Sequence, residues 1–194
     1  MIPEVSMRGK VEKWRRLGVE SRFDAAILDV RRVRCESETG KSGLFTLVGA
    51  KDWAIVVPLV AGDKGPEVVM VRQYRHGNDS LSLEFPGGVV ERGEAPEAAV
   101  RRELEEETGY RAGRVLHAGT VSPNPAFLEN SYHVYVAFDL VADGRVSLDE
   151  HEEIDVELLP LEEVRAKMGT GECANAMMAA GLFLAERVLR TEGF

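Results

Sequence analysis

Gly88-Val89-Val90-Glu91-Arg92-Gly93-Glu94-Ala95-Pro96-Glu97-Ala98-Ala99-Val100-Arg101-Arg102-Glu103-Leu104-Glu105-Glu106-Glu107-Thr108-Gly109-Tyr110 is the stretch on which the reading of this chain turns. Residues 95–108 have the marks of a helix. Pro96 suits the first helical position, and Gly109 suits the left-handed stop just past the end. Val100 and Leu104, four apart, should face a core. Four carboxylates, Glu103, Glu105, Glu106 and Glu107, crowd the last turns. The helix dipole is negative there, so each exposed Glu is unfavourable by roughly 0.3–1 kcal/mol. Like charges at i,i+4 add a similar small penalty. Glu103, Glu106 and Glu107 stand at i, i+3 and i+4 and share one face. A helix that gives up stability in this way carries either a solvated acidic face or a hard-cation site, because clustered carboxylate oxygens suit magnesium, calcium or manganese.

Outward from this helix the chain reads mainly as strands. Leu81–Phe85 runs into the turn Pro86-Gly87-Gly88, whose backbone is open to close approach by a ligand. Trp53–Val60 and Glu67–Tyr74 are strands divided by Ala61-Gly62-Asp63-Lys64-Gly65-Pro66. Phe23–Val33 and Leu44–Gly49 form a hairpin-like pair across the polar tract Glu36–Gly43. Residues 1–22 read as a polar, basic arm with a short helix near Val11–Leu17. After the helix come strands at Val115–Val121, Tyr132–Leu140 and Ile154–Leu159, then helices at Leu161–Met168 and Ala174–Arg190. In Tyr132–Leu140 the period-two pattern gives one strongly apolar face. Many strands, one central helix and terminal helices make an α+β sandwich. The division expected is an N-terminal arm and strands over 1–50, followed by the main domain over 51–194.

Composition narrows the function. The 194 residues are 44% hydrophobic and 29% charged, as in a soluble globular protein. With 24 Lys plus Arg against 33 Asp plus Glu, the net charge of −9 argues against nucleic acid as a partner. No apolar run is long enough for a membrane span, and the N-terminus lacks signal-peptide architecture. Cys35 and Cys173 form no CxxC pair, and a reduced, cytoplasmic setting is expected. His76, His117, His133 and His151 share no ligand spacing. Trp14 and Trp53 read as packing residues. Phe23 and Phe45 are candidates to stack on a nucleobase, with core packing the expectation for each.

Residues 88–110 resemble the Nudix box of the Nudix hydrolases at every defined position, from Gly88 through Glu94 to Arg102-Glu103-Leu104-Glu105-Glu106-Glu107-Thr108-Gly109. The resemblance implies a mixed β-sheet sandwich flanked by helices, with a small N-terminal β extension. It implies cleavage of nucleoside diphosphates linked to another moiety. Carried over by position, Glu103, Glu106 and Glu107 are metal ligands, the Gly87 carbonyl is a further ligand, and Glu94 with Arg102 ties loop to helix. A pyrophosphate adds negative charge to a site already rich in carboxylates. Two or three Mg2+ ions, or Mn2+, would make that tolerable and polarise the phosphate for attack by water.

Val71-Arg72-Gln73-Tyr74-Arg75-His76 and Leu83-Glu84-Phe85-Pro86-Gly87-Gly88 are similar to the segments before the box in ADP-ribose pyrophosphatases and related nucleotide-sugar hydrolases, which often have Pro-Ala-Gly in place of Pro86-Gly87-Gly88. Arg72 and Arg75, three apart on a strand, point to opposite faces; Arg75 is favoured for the substrate. Glu84 is assigned to substrate or a metal-bound water, or equally to structure. Pro125, sixteen residues after Gly109, falls near an offset that marks the same group. Asp149-Glu150-His151-Glu152-Glu153-Ile154 is similar to that group's mobile acidic loop, which makes Glu150 the general base, with Glu107 also catalytic, and Glu152 an added ligand. The resemblance further implies a homodimer paired through N-terminal strands. Other readings are hydrolysis of coenzyme A, a dinucleoside polyphosphate or a capped RNA end, and a non-catalytic nucleotide sensor. Sensors commonly lose box carboxylates, which this chain retains.

Overall fold

A computed structural model describes residues 13–25, 27–148, 150 and 152–194, and shows two compact units. One comprises Met1–Ala50 with Asn124–Glu129, the other Lys51–Pro123 with Asn130–Phe194.

The first unit is a three-stranded antiparallel sheet in the order β1 (Arg15–Asp24), β2 (Leu28–Glu36), β3 (Ser42–Ala50). The β2–β3 hairpin closes where the Ser37 N–H donates to the Lys41 carbonyl at 2.8 Å. The segment 124–129 runs along β3. The Val48 N–H donates to the Phe127 carbonyl at 2.8 Å, and the Glu129 N–H to the Val48 carbonyl at 3.1 Å. Three expectations are corrected in this unit. The helix near Val11–Leu17 is replaced from Arg15 onward by strand, since pairing with β2 supplies backbone partners that so short a helix would largely lack; its first residues lie outside those described. Phe23–Val33 is two strands, because the chain reverses between Asp24 and Asp29, which face each other across the ladder. Phe23 and Phe45 are not core residues. They are 68% and 44% exposed, and Phe45 meets Trp14 edge to face with centroids 5.5 Å apart.

The second unit is built on a mixed sheet of β10 (Ile154–Pro160), β5 (Gly65–Arg75), β4 (Trp53–Gly62), β9 (Tyr132–Val141) and β8 (Arg111–Val121), in that order. β6 (Ser80–Glu84) adds to β5, and the short β7 (Gly87–Val89) adds to β4. Only β4 and β9 run parallel. A proline inside a central strand is unusual because it removes a ladder donor. Pro58 falls in the gap where the neighbour of β4 changes from β7, paired at 53–55, to β5, paired at 59–62.

Helices cover both faces of this sheet. α1 (Pro96–Thr108) sets Ala99, Val100 and Leu104 against Ala54, Val56 and Ala137. α3 (Ala176–Thr191) sets Met178, Leu182, Ala185 and Leu189 against the opposite face, with Ile55, Val57, Val134 and Val136. α2 (Leu161–Lys167) adds Leu161 and Val164 to that second core. Each large apolar side chain so buried contributes roughly 1.5–3 kcal/mol. β9 therefore departs from the single apolar face expected of it. Tyr132, Val134, Val136 and Phe138 fill one core, while Tyr135 and Ala137 are also buried, in the other. Helices on both sides leave no solvated face at the centre of the sheet. Cys35 and Cys173 are free and buried. Among the described residues, no helix is long and apolar enough to cross a membrane.

Candidate active site

The site grows from the contact between the glycine turn and α1. At Gly87 the backbone lies directly on β4: an added Cβ would stand 2.3 Å from the Ala54 carbonyl oxygen and 2.7 Å from the Ile55 Cα. At Gly88 a Cβ would stand 2.5 Å from a carboxylate oxygen of Glu103. The turn thus passes between a strand and an acid with no room for side chains. The Gly87 N–H donates to Glu107 Oε2 at 2.9 Å.

Glu107 is 5% exposed. Burial pushes its carboxyl up to about 8; the charges of Glu103 and Glu152 add to this, and the Gly87 N–H opposes it. Burial likewise raises Glu103, with Glu106 and Glu152 adding and Arg102 opposing. Arg102 Nη1 donates to Glu103 at 2.8 Å and to Glu106 at 2.9 Å. The rest of its fork holds Glu94, at 3.0 and 3.2 Å, and the Val89 carbonyl, at 3.2 Å. Arg102 accordingly holds the Glu94 carboxyl below the usual range. Loop and helix are tied here as the sequence pattern implied.

The last turn of α1 carries no basic residue. Its carbonyls are met instead by the segment after β9. The Gly144 N–H donates to the Gly109 carbonyl at 3.0 Å, and the Ser147 N–H to the Glu106 carbonyl at 2.9 Å. This anchors the start of the second acidic segment on the acidic helix itself. Glu150 lies exposed in the turn that follows, and Glu152 just ahead of β10. The charge of Glu152 acts on Glu103, Glu107 and Arg75. Asp149 and His151 are outside the described residues.

Arg75 and Glu84 lie on the paired strands β5 and β6, opposite Ser80 and Val71 respectively, and their side chains meet along the pair. Arg75 donates to Glu84 through Nε at 3.1 Å and Nη2 at 2.6 Å. Glu84 is 1% exposed. Burial works to raise its pKa, but donors from Arg75, Ser82 and Asn175 outweigh it and leave the carboxyl below its usual value. Arg72 turns elsewhere, to Glu172 at 2.9 Å and to Glu157. Pro125 belongs to the first unit, in the turn opened by Asn124. Asn175 escaped the sequence reading, which placed it inside a helix beginning at Ala174. It is the N-cap of α3, a role that an Asn ahead of an apolar helical run could have signalled.

Among the described residues, no three acidic, histidine or cysteine side chains converge closely enough to hold an ion in this arrangement. Arg102 is shared by Glu103 and Glu106, and Glu107 is turned to a backbone N–H. The donor set nevertheless fits a hard divalent cation. All its atoms are oxygens; Glu107 is buried and Glu103 half-buried, and burial raises both carboxyls.

Residues 50–178 match the NUDIX domain. The chain belongs to this family and is a Nudix hydrolase, a class that generally works with divalent metal ions. Within the family it is similar to ADP-ribose pyrophosphatases. It is 32% identical over 161 residues to the ADP-ribose pyrophosphatase of Bacillus subtilis, covering 82% of this chain and 85% of that one. It is 33% identical over 178 residues to the ADP-ribose pyrophosphatase of Mycobacterium tuberculosis, covering 90% and 83%. The crystal structure of an ADP compounds hydrolase superposes with a TM-score of 0.83 at 24% identity over 96% of this chain and 99% of that one, a likeness of fold. The α+β fold with its N-terminal β extension is the Nudix architecture expected.

Proposed function

We propose that this Nudix hydrolase cleaves the pyrophosphate of ADP-ribose, or of a related nucleoside diphosphate sugar, to a nucleoside monophosphate and a sugar phosphate. The observation that carries the reading is that the charge of Glu152 acts on Glu103, Glu107 and Arg75, from more than forty residues away in sequence. A guanidinium suited to a phosphate stands beside a carboxylate cluster suited to cations. Relatives of about one-third identity over most of the chain are ADP-ribose pyrophosphatases.

In this reading Glu103, Glu106, Glu107, Glu152 and the Gly87 carbonyl hold two or three Mg2+ or Mn2+ ions. Bound there, the ions would neutralise the pyrophosphate and stabilise charge on the departing phosphate. The protein's own groups do the rest. Arg75, fixed by Glu84, grips a phosphate oxygen. Arg72, already engaged by Glu157 and Glu172, serves substrate less directly. Glu150 takes the proton of the attacking water, whose oxygen bonds to one phosphorus as the bridging P–O bond breaks. Pro125 is assigned to substrate by its offset from the box alone. The functional particle is a homodimer: β1 is an edge strand, every residue of which is exposed, including Leu17, Val19 and Phe23.

The test is a panel of ADP-ribose, other nucleotide sugars, coenzyme A and dinucleoside polyphosphates with Mg2+, with products identified chromatographically. Turnover of ADP-ribose or an ADP-sugar at least tenfold above the rest is expected. Preference for coenzyme A or a dinucleoside polyphosphate would overturn the assignment. Glu150→Gln should lower kcat by about 10²–10⁴-fold with KM nearly unchanged. Glu152→Gln should instead raise the Mg2+ concentration that stabilises the protein against heat.

A further inference from the structure

Glu84 has nothing left with which to touch a substrate. A carboxylate offers about four lone-pair sites. Arg75 occupies two with its fork, Asn175 Nδ2 donates to Oε1 at 2.9 Å, and Ser82 supplies another donor. Glu84 is therefore an anchor, and the question becomes what holds the anchor. Asn175 is itself held at its other end. Its Oδ1 accepts the Met177 N–H at 2.9 Å, so the amide cannot turn without uncapping α3. The same first turn of α3 makes two more such contacts. Met178 Sδ accepts the Phe85 N–H at 3.1 Å, and the Tyr132 hydroxyl donates to the Met177 carbonyl at 2.8 Å. Consecutive residues Glu84 and Phe85, just ahead of the Pro86-Gly87 turn, are thus each fastened to one helical turn. That turn is in turn fastened to the central strand β9. Arg75 opens onto a cleft of about 550 Å³ lined also by Tyr74, Asn78, Ser82 and Asn175. Its side chain is about half exposed, with N–H donors beyond the two that Glu84 uses.

We infer that Asn175 is a positioning residue: through Glu84 it sets the Arg75 guanidinium toward the anionic phosphate of the substrate. The inference rests on the reading of Arg75 as the phosphate grip. A guanidinium fixed before substrate arrives loses less freedom on binding than one that must be ordered by the ligand. Asn suits the post because only one end of its amide is an acceptor and the other a donor. Ser and Asp also cap helices, but neither brings a donor to Glu84 at that reach, and Asp would set a second carboxylate against it.

The experiment compares wild type with Asn175→Ser and Asn175→Asp, both of which retain a helix cap. For Asn175→Ser, KM for ADP-ribose should rise about tenfold, as loss of one hydrogen bond to a charged group would give, with kcat and the Mg2+ requirement within twofold of wild type. Asn175→Asp should raise KM further. The readout independent of hydrolysis is the Nε–H resonance of Arg75 in 15N-resolved NMR, assigned by its disappearance in Arg75→Lys. It should be sharp in wild type and shifted or broadened in both Asn175 variants. A lowered melting temperature with KM and the Arg75 resonance unchanged would overturn the inference and leave Asn175 a helix cap only. A displaced Arg75 resonance with unchanged KM would sustain the link from Asn175 to Arg75 and refute Arg75 as the substrate grip. Should one of the two variants not fold, the other, a comparable cap, carries the same comparison.

Discussion

Glu107 offers a direct measurement of what the acidic helix costs. Burial pushes its carboxyl up to about 8 from an ordinary value of 4.5. Folding therefore favours the protonated form. The contribution of this group to stability is fully present below pH 4.5 and is lost as pH rises through about 8. Integrated between pH 5 and pH 9, with divalent cations chelated, the loss is about 4 kcal/mol for this one side chain. Glu107→Gln removes the titration while keeping an acceptor for the Gly87 N–H. At pH 5 the variant and wild type should be nearly equally stable, because both present a neutral group. By pH 9 the variant should be the more stable, by up to about 4 kcal/mol. Urea unfolding followed by circular dichroism in EDTA gives the difference curve, in which titrations common to both proteins cancel. If Glu107 is a ligand as proposed, saturating Mg2+ should reverse the order, since wild type would then gain more from mass action. The variant should lose at least about a hundredfold in kcat/KM. Difference curves that stay flat from pH 5 to pH 9 would refute the account of Glu107 as a desolvated carboxylate waiting for a cation.

Gly87→Ala should destabilise the fold by about 3 kcal/mol or more, because its Cβ would meet backbone atoms of Ala54 and Ile55, which cannot step aside; an unchanged urea midpoint would contradict this. Gly144→Ala would place a Cβ 2.8 Å from Glu105 Cγ and 3.0 Å from the Gly109 carbonyl oxygen. It should shift the acidic loop off the end of α1 and lower kcat at least about tenfold, at a stability cost near 1 kcal/mol, in steady-state kinetics and thermal melts. Sedimentation at micromolar concentration should give twice the 21.4 kDa chain mass, and Val19→Lys in β1 should return it to the monomer; a wild-type monomer would exclude the dimer.

Much of this fold was legible because its signals are local. Pro96 and Gly109 bound α1 through the backbone angles those residues allow, and Val100 and Leu104 mark its inner face by helical spacing alone. The strands from Trp53 to Glu84 carry β-branched runs cut by glycine and proline. β1 was not legible. Its ten residues are exposed and of mixed character, so nothing in their own pattern distinguishes strand from helix, and only the ladder with β2 decides. Phe23–Val33 hid a reversal for a similar reason, since it is the pairing of Asp24 with Asp29 that sets it.

The site divides along the same line. Glu103, Glu106 and Glu107 share a face because a helix repeats every 3.6 residues, and sequence spacing alone determined that. The bridge from Glu94 to Arg102 followed from the family pattern of the box. Tertiary structure decided everything that depends on which distant segments touch. It folded the 144–147 segment onto the carbonyls at the end of α1, which brings Glu152 within electrostatic reach of Glu103 and Glu107. It gave Arg72 to Glu157 and Glu172, and Arg75 to Glu84. It set Asn175 as cap and anchor together. The physical reason is common to all of these. Helical phase and backbone preference are properties of a few consecutive residues. Desolvation and ion pairing depend on atoms far apart in the chain, and come into being only when the sheet and its covering helices close around them.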